Sequence, residues 1–250
     1  AHKGKLHLND KVSKYIPGFY MTYNDKKYDI TIKQLLGQKS GIPSNITSED
    51  QTEQYGDSIN NLVNSIKGKE LNHKPGDTFE YSNMNYDVLG LVIQNVSKES
   101  YQTYIKKNIL KPLHMNQTSF KATNTKHKNE AVGYEQASGV IKQSAPSFNI
   151  GDTPSAYLMS NTRDLEHWVK MQLSPSNKTK RIVNQSHQTI NESRGEDNAN
   201  GYAAGWFTNS NNNYVYHIGT LDNYSSIILL NPKKSYLSLI HISEPTRPER

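Results

Sequence analysis

The chain has 250 residues, enough for one well-buried domain, and its 34% hydrophobic content is offset by Asn- and Lys-rich surface stretches rather than by one low-complexity block. Its net charge of +6 comes from scattered Lys with interleaved acids, not from a basic stripe carrying aromatics, which argues against nucleic-acid binding. With no cysteine, disulfides and thiol catalysis are excluded, and no apolar run is long enough to span a bilayer.

Taken in chain order, Ala1 to Leu6 reads as the last turn of a helix ending at Gly4, without a signal pattern. Thr31-Ile32-Lys33-Gln34 is a capping box that opens a short helix through Leu35-Leu36, ended by Ser40-Gly41-Ile42-Pro43. Ile59, Leu62, Val63 and Ile66 recur at helical spacing. Turn chemistry at Lys74-Pro75-Gly76-Asp77 then leads into the β-prone Thr78-Phe79-Glu80-Tyr81, and Val88, Leu89, Val92 and Val96 mark a helix after it. Tyr81-Ser82-Asn83 therefore sits where an extended run gives way to a helix, a corner from which a side chain is presented to a cleft. Ser100 caps a further helix carrying Tyr104, Ile105 and Ile109 that stops before Pro112, and Thr162 begins an amphipathic helix with Leu165, Trp168, Val169 and Gln172 inward. Beyond it the character changes. Gly205-Trp206-Phe207, Tyr214-Val215-Tyr216-His217 and 225–230 are short β-prone runs, and the first two, joined by the Asn-rich turn 210–213, are expected to pair antiparallel. A strand should also begin after the turn Asn231-Pro232-Lys233-Lys234. Helices gathered early and antiparallel strands late predict an α+β fold: a sheet flanked by helices, with a helical subdomain.

A lone Tyr is usually a half-buried packing residue, and a lone His on a strand is usually half-exposed. What raises Tyr81 and His217 is the company they keep. The phrase I-T-I-x-x-L-L-x-x-x-S-G-[IL]-P is matched by residues 30–43, and P-G-x-x-F-x-Y-S-N-x-x-Y-x-x-L-G-x-[IV]-I by 75–93. KPL-x-M-x-x-T-x-F is matched by 111–120, and S-T-x-x-D-L-x-x-W by 160–168 with Asn161 inserted. With His217-Ile218-Gly219-Thr220 following in order, the chain resembles the serine β-lactamase and penicillin-binding-protein superfamily, in its class C-like serine hydrolase branch. That resemblance implies a β-lactamase/transpeptidase-like fold and acyl-enzyme chemistry on a serine, with no cofactor and no metal. It assigns Tyr81 to proton transfer and His217 to the flank of the oxyanion. Asn83 would donate to a substrate amide or to a lysine, while Gly219 and Thr220 would receive substrate along the strand edge.

The family's nucleophile stands in Ser-x-x-Lys just before G-K-L-x-L-x-D, the pattern with which this chain opens at Gly4-Lys5-Leu6-His7-Leu8-Asn9-Asp10. No serine in the 250 residues has a lysine three positions on. The expectation is a fragment that lacks the nucleophile and is inactive by itself. At the other end, 237–248 resembles the in-frame translation of a sequencing adapter, so 1–236 reads as a single incomplete domain lacking its C-terminal strand, and 237–250 as a non-native tail. Expected substrates are cell-wall peptides, D-alanyl esters or β-lactams, placing the parent protein outside the cell or in its envelope. Any membrane anchor would lie beyond these residues. A wall-binding or penicillin-sensing protein that kept the fold without catalysis is the alternative. A metal hydrolase built on the nine histidines has no His-Glu-x-x-His spacing to support it.

Overall fold

The computed structural model describes residues 4–46, 58–120, 130–137, 139–144, 148–192, 199–211, 213–221, 223–234 and 236–242. The helix turn expected at 1–3 lies outside them, but Gly4 has φ +73°, the left-handed conformation of a residue just past a helix end. A short hairpin follows, β1 (Met21–Tyr23) against β2 (Lys26–Tyr28), in register Met21↔Tyr28. Its two-residue turn, Asn24 and Asp25, has φ of 50° and 60°, which matches a turn whose twist suits antiparallel strands.

Helix α1 (Ile32–Leu36) carries the expected capping box: Thr31 Oγ1 accepts from Gln34 N while Gln34 Oε1 accepts from Thr31 N at 2.8 Å. α2 (Ile59–Ser65) is capped by Ser58, and α3 (Asn83–Ser97) follows the Tyr81 corner. Ser100 caps α4 (Tyr101–Ile105), which loosens into a π-helical turn over Lys106–Leu110 before Pro112. Met21 of β1 packs with Ile32, Leu35, Leu62, Val63, Val88, Leu91 and Val92 from the three helices in one buried cluster. This is the helical subdomain.

Strands β3 (Ser119–Phe120) and β6 (Leu158–Met159) pair antiparallel, as do β4 (Gly133–Ala137) and β5 (Val140–Ser144). Helix α5 (Thr162–Leu173) is capped by Asn161, whose Oδ1 accepts from Asp164 N at 2.9 Å. Asn161, read as inserted, instead stands at the Thr position of the nine-residue family phrase and is the helix cap. After α6 (Lys180–Ser186) comes an antiparallel sheet of five strands in the order β11-β10-β9-β8-β7. They are β7 (Gly201–Tyr202), β8 (Phe207–Asn209), β9 (Tyr214–Leu221), β10 (Tyr224–Asn231) and β11 (Tyr236–Ile242). Val169 of α5 joins Ala203, Trp206, Val215 and Leu230 in a second buried cluster. The fold is the expected α+β arrangement.

β11 pairs with β10 from Asn231↔Tyr236 to Ser225↔Ile242. The first part of the segment set apart at 237–250 therefore occupies the strand position where a missing last strand was expected. Its Leu and Ile content suits a strand. Asn223 Nδ2 donates to Ser144 O at 2.9 Å and holds the β4–β5 hairpin.

Gly41 marks how tightly the α1 exit is packed. Its φ is +82°, and a Cβ there would lie 2.0 Å from the backbone oxygen of His73. Gly41→Ala is expected to destabilise the fold by about 3 kcal/mol through backbone overlap and strain, read as a lower urea midpoint with unchanged slope.

Candidate active site

Residues 78–82 join no strand, Thr78 lying in a bend, so their backbone groups must be satisfied elsewhere. The partners come from the loop after α1. Glu80 N donates to Gln38 O at 2.9 Å and Ser82 N to Gln38 Oε1 at 3.1 Å, so one residue holds both neighbours of Tyr81. Ser82 Oγ donates to Pro43 O at 3.0 Å. The Glu80 carboxylate accepts from Ser44 N at 3.0 Å and Asn72 Nδ2 at 2.8 Å, with His73 Nε2 3.5 Å away. Deeper in, Asn85 of α3 donates to Gln38 Oε1, while Ser40 Oγ donates to Asn85 Oδ1 at 2.6 Å and accepts from Ile42 N at 3.0 Å. The two sequence phrases 30–43 and 75–93 therefore meet in space as one polar clasp around the corner.

From that clasp the Tyr81 ring reaches the sheet. Its centroid lies 6.0 Å from the His217 ring and 6.1 Å from Phe207, with which it stacks at an interplanar angle of 20°. Phe207 is itself 5.7 Å from His217, and Tyr202 sits edge-on to Tyr81 at 6.3 Å. Phe79 closes the cluster, 5.6 Å from Tyr202. Tyr81 and Phe79 come from the helical side and the other rings from the sheet, so the site lies along the seam between the two cores.

Burial sets the protonation states. The Tyr81 phenol is held above its ordinary range, first by desolvation and second by the nearby Asp87 carboxylate. No hydrogen bond of its hydroxyl is found among the described residues. His217 is pushed below its ordinary value by desolvation, partly offset by a hydrogen bond at the Ile218 backbone, so it is neutral at pH 7. Neither Tyr81 cause is a cation, so the site presents a neutral phenol beside a neutral imidazole. Activating the phenol requires positive charge brought against it.

The remaining predicted residues fall around this pair. Asn83 is exposed at the first position of α3. Ile218, Gly219 and Thr220 form the exposed half of β9. There β9 pairs with β10, Gly219 opposite Ser226 and Thr220 opposite Ser225, while its ladder with β8 stops at Tyr216. The edge that carries His-x-Gly-Thr is thus unpaired on the β8 side among the described residues, as an extended ligand running along a strand requires. A Cβ at Gly219 would meet Ser226 Oγ at 2.7 Å, so a side chain there would make that hydroxyl swing aside. Periodicity did not single out Gln38, Phe207 or the buried Asp87; a Gln before Lys-Ser-Gly in a loop reads as solvated, and only the tertiary clasp gives it a task.

The antiparallel sheet, the Tyr-x-Asn corner at a helix start and the His-x-Gly strand facing it describe the class of serine hydrolases that includes β-lactamases and penicillin-binding proteins. The chain belongs to that family: the Beta-lactamase family model matches residues 1–249. It is 57% identical over 236 residues to Protein flp of Staphylococcus aureus (strain NCTC 8325 / PS 47), covering 94% of this chain and 47% of that protein. The chain thus spans about half the length of the curated relatives it matches. Among solved structures, the octameric penicillin-binding protein homologue from Pyrococcus abyssi superposes with TM-score 0.83 at 25% identity, over 99% of this chain and 58% of that one. A class C β-lactamase shares the fold at TM-score 0.77 and 15% identity, over 99% of this chain and 72% of that one.

Proposed function

We propose that these residues are the proton-transfer and substrate-binding part of a serine acyl-enzyme hydrolase acting on D-alanyl esters, D-alanyl or other cell-wall peptides, or β-lactams. The observation that carries the reading is the meeting of Tyr81 with His217 beside the open edge of β9. A serine from the segment preceding Ala1 would attack the acyl carbon, its proton passing to Tyr81 and an adjoining lysine and then to the leaving group. The developing oxyanion would lie against the β9 backbone with His217 at its flank, and Asn83, Gly219 and Thr220 would hold the substrate. The lysine is the cation the buried phenol needs. The net charge of +6 suits an anionic wall or envelope as the place of action, and a D-alanyl substrate most of all.

Because no Ser-x-x-Lys is present in the 250 residues, the purified chain is expected to form no covalent adduct with a fluorescent penicillin or a nitrophenyl ester. An adduct mapped by mass spectrometry to any of its serines overturns this assignment. A second reading, a protein that binds wall peptide or penicillin without turnover, is favoured if the longer protein lacks Ser-x-x-Lys ahead of Ala1 and excluded if it carries an intact one. The longer protein separates them: hydrolysis of a D-alanyl ester, a D-Ala-D-Ala peptide or a chromogenic cephalosporin supports the first, and saturable binding without product supports the second.

A further inference from the structure

We infer that Gln38 is the positioning residue of the catalytic corner: it holds Tyr81 against His217 through the backbone N–H groups of the tyrosine's two neighbours. The inference rests on the proton-transfer reading of Tyr81, but its test does not depend on turnover.

Gln38 is completely buried and has φ +56°, a left-handed conformation that is unfavourable for a residue with a side chain. The left-handed state itself closes α1, with Gln38 N donating to Leu35 O at 3.1 Å and Lys39 N to Gln34 O at 2.9 Å, but that position ordinarily takes glycine and demands no glutamine. What Gln38 adds there is specific. Its backbone oxygen receives Glu80 N, on one side of Tyr81, and its Oε1 receives Ser82 N, on the other. The same Oε1 takes Asn85 Nδ2, so the first turn of α3 is tied to the same atom. A hydrophobic side chain of equal size would fill the space but leave Ser82 N and Asn85 Nδ2 buried without an acceptor. The other end of the amide points into the ring cluster: Gln38 Nε2 and Tyr202 Oη are both buried without a completed hydrogen bond, and the Gln38 amide and Tyr81 both contribute to the electrostatics of the Tyr202 hydroxyl. Gln38 therefore bonds to the polypeptide around Tyr81 on one side and borders the aromatic wall behind it on the other.

The test is made on the 250-residue chain by NMR, comparing the wild type with Gln38→Leu, which removes the acceptor, and Gln38→Glu, which keeps an acceptor oxygen. In Gln38→Leu, exchange of the Ser82 amide is expected to rise about tenfold, as loss of one hydrogen bond implies, and the Overhauser contacts between the Tyr81 and His217 rings to disappear. The Glu80 amide, bonded to the backbone oxygen, and the amides of α5 keep their protection. Gln38→Glu retains the ring contacts. If Gln38→Leu does not fold, Gln38→Asn, which draws the oxygen back by one methylene, is expected to lose Ser82 protection and the ring contacts within a folded chain. Unchanged Tyr81–His217 contacts in the variant lacking the acceptor, or an equal loss of protection at Ser82, Glu80 and α5, overturns the assignment and leaves Gln38 as ordinary packing. Failure of the hydrolase reading would leave these results standing, and their failure would leave the hydrolase reading untouched.

Discussion

Replacing Asp152 with asparagine is expected to leave stability unchanged near pH 4 and to raise it by about 2 kcal/mol at pH 7, after a discount for its partial exposure. Burial lifts the Asp152 carboxyl to about 6. It faces Asp87 of α3, whose carboxyl is held well above its ordinary value, first by burial and then by the charge of Asp152, against the opposing hydrogen bonds from Ser155. Ser155 N donates to Asp87 Oδ1 at 3.2 Å, so the acid pair joins α3 to the 150–155 turn. Tyr101, half-buried and raised to about 12 chiefly by desolvation, and Tyr81 are the other titratable groups that feel Asp87. For an acid whose folded pKa lies above its unfolded one, the folded state holds the proton more strongly. Below the unfolded value near 3.8 there is no penalty; stability then falls as pH rises through about 6 for Asp152, and further for Asp87. His187 and His217, both lowered chiefly by burial, act in the opposite direction across the same range, since the folded state resists their protonation. The difference between variant and wild type isolates the acid. Urea unfolding of both at a series of pH values provides it, and a difference that shrinks toward neutral pH would refute the assignment. Asp87→Asn, which keeps the carbonyl facing Ser155 N, is expected to show the same trend extended to higher pH.

The second large effect concerns chemistry. In a protein that carries the family's Ser-x-x-Lys ahead of Ala1, Tyr81→Phe is expected to lower the acylation rate by a factor of about 100 to 10,000, the range for losing a positioned proton-transfer group, with a much smaller change in substrate binding. The fold should hardly notice. The Tyr81 hydroxyl makes no hydrogen bond among the described residues, and phenylalanine keeps the ring contacts to Phe207 and His217. A matched loss of thermal stability would instead mean that the hydroxyl is structural. The rate of the wild type should rise with pH as the phenol, held high by burial and Asp87, is brought toward ionisation by the incoming cation; the variant should lack that limb.

Much of this was visible in the residues themselves. The capping box at Thr31 and Gln34, the Ser100 cap and the β8–β9 pairing follow from local chemistry, because short-range hydrogen bonds and alternating burial leave their mark within a few positions. The β1–β2 hairpin is equally local, but its Asn-Asp turn is a weaker signal than Asn-Gly. The meeting of Tyr81 and His217 was legible only through the order of the family phrases, since no periodicity links a loop corner to a distant strand. Gln38 and Asp87 were illegible for a different reason. Polar residues usually face water, and only tertiary packing decides that these two are buried. Asn161 shows the converse: an Asn at the Thr position of the family phrase is an ordinary helix cap.

In the proposed reaction Tyr81 and His217 serve a serine supplied by the segment ahead of Ala1. Intact-mass and peptide mapping after exposure to a fluorescent penicillin tests it most directly, with the 250-residue chain and the same chain extended by its upstream coding sequence side by side. The account predicts one acyl adduct, on the serine of an upstream Ser-x-x-Lys in the extended protein, formed far more slowly when Tyr81 is phenylalanine, and none on the chain alone. An adduct on a serine within these residues, or none on an extended protein whose Ser-x-x-Lys is intact, would contradict it.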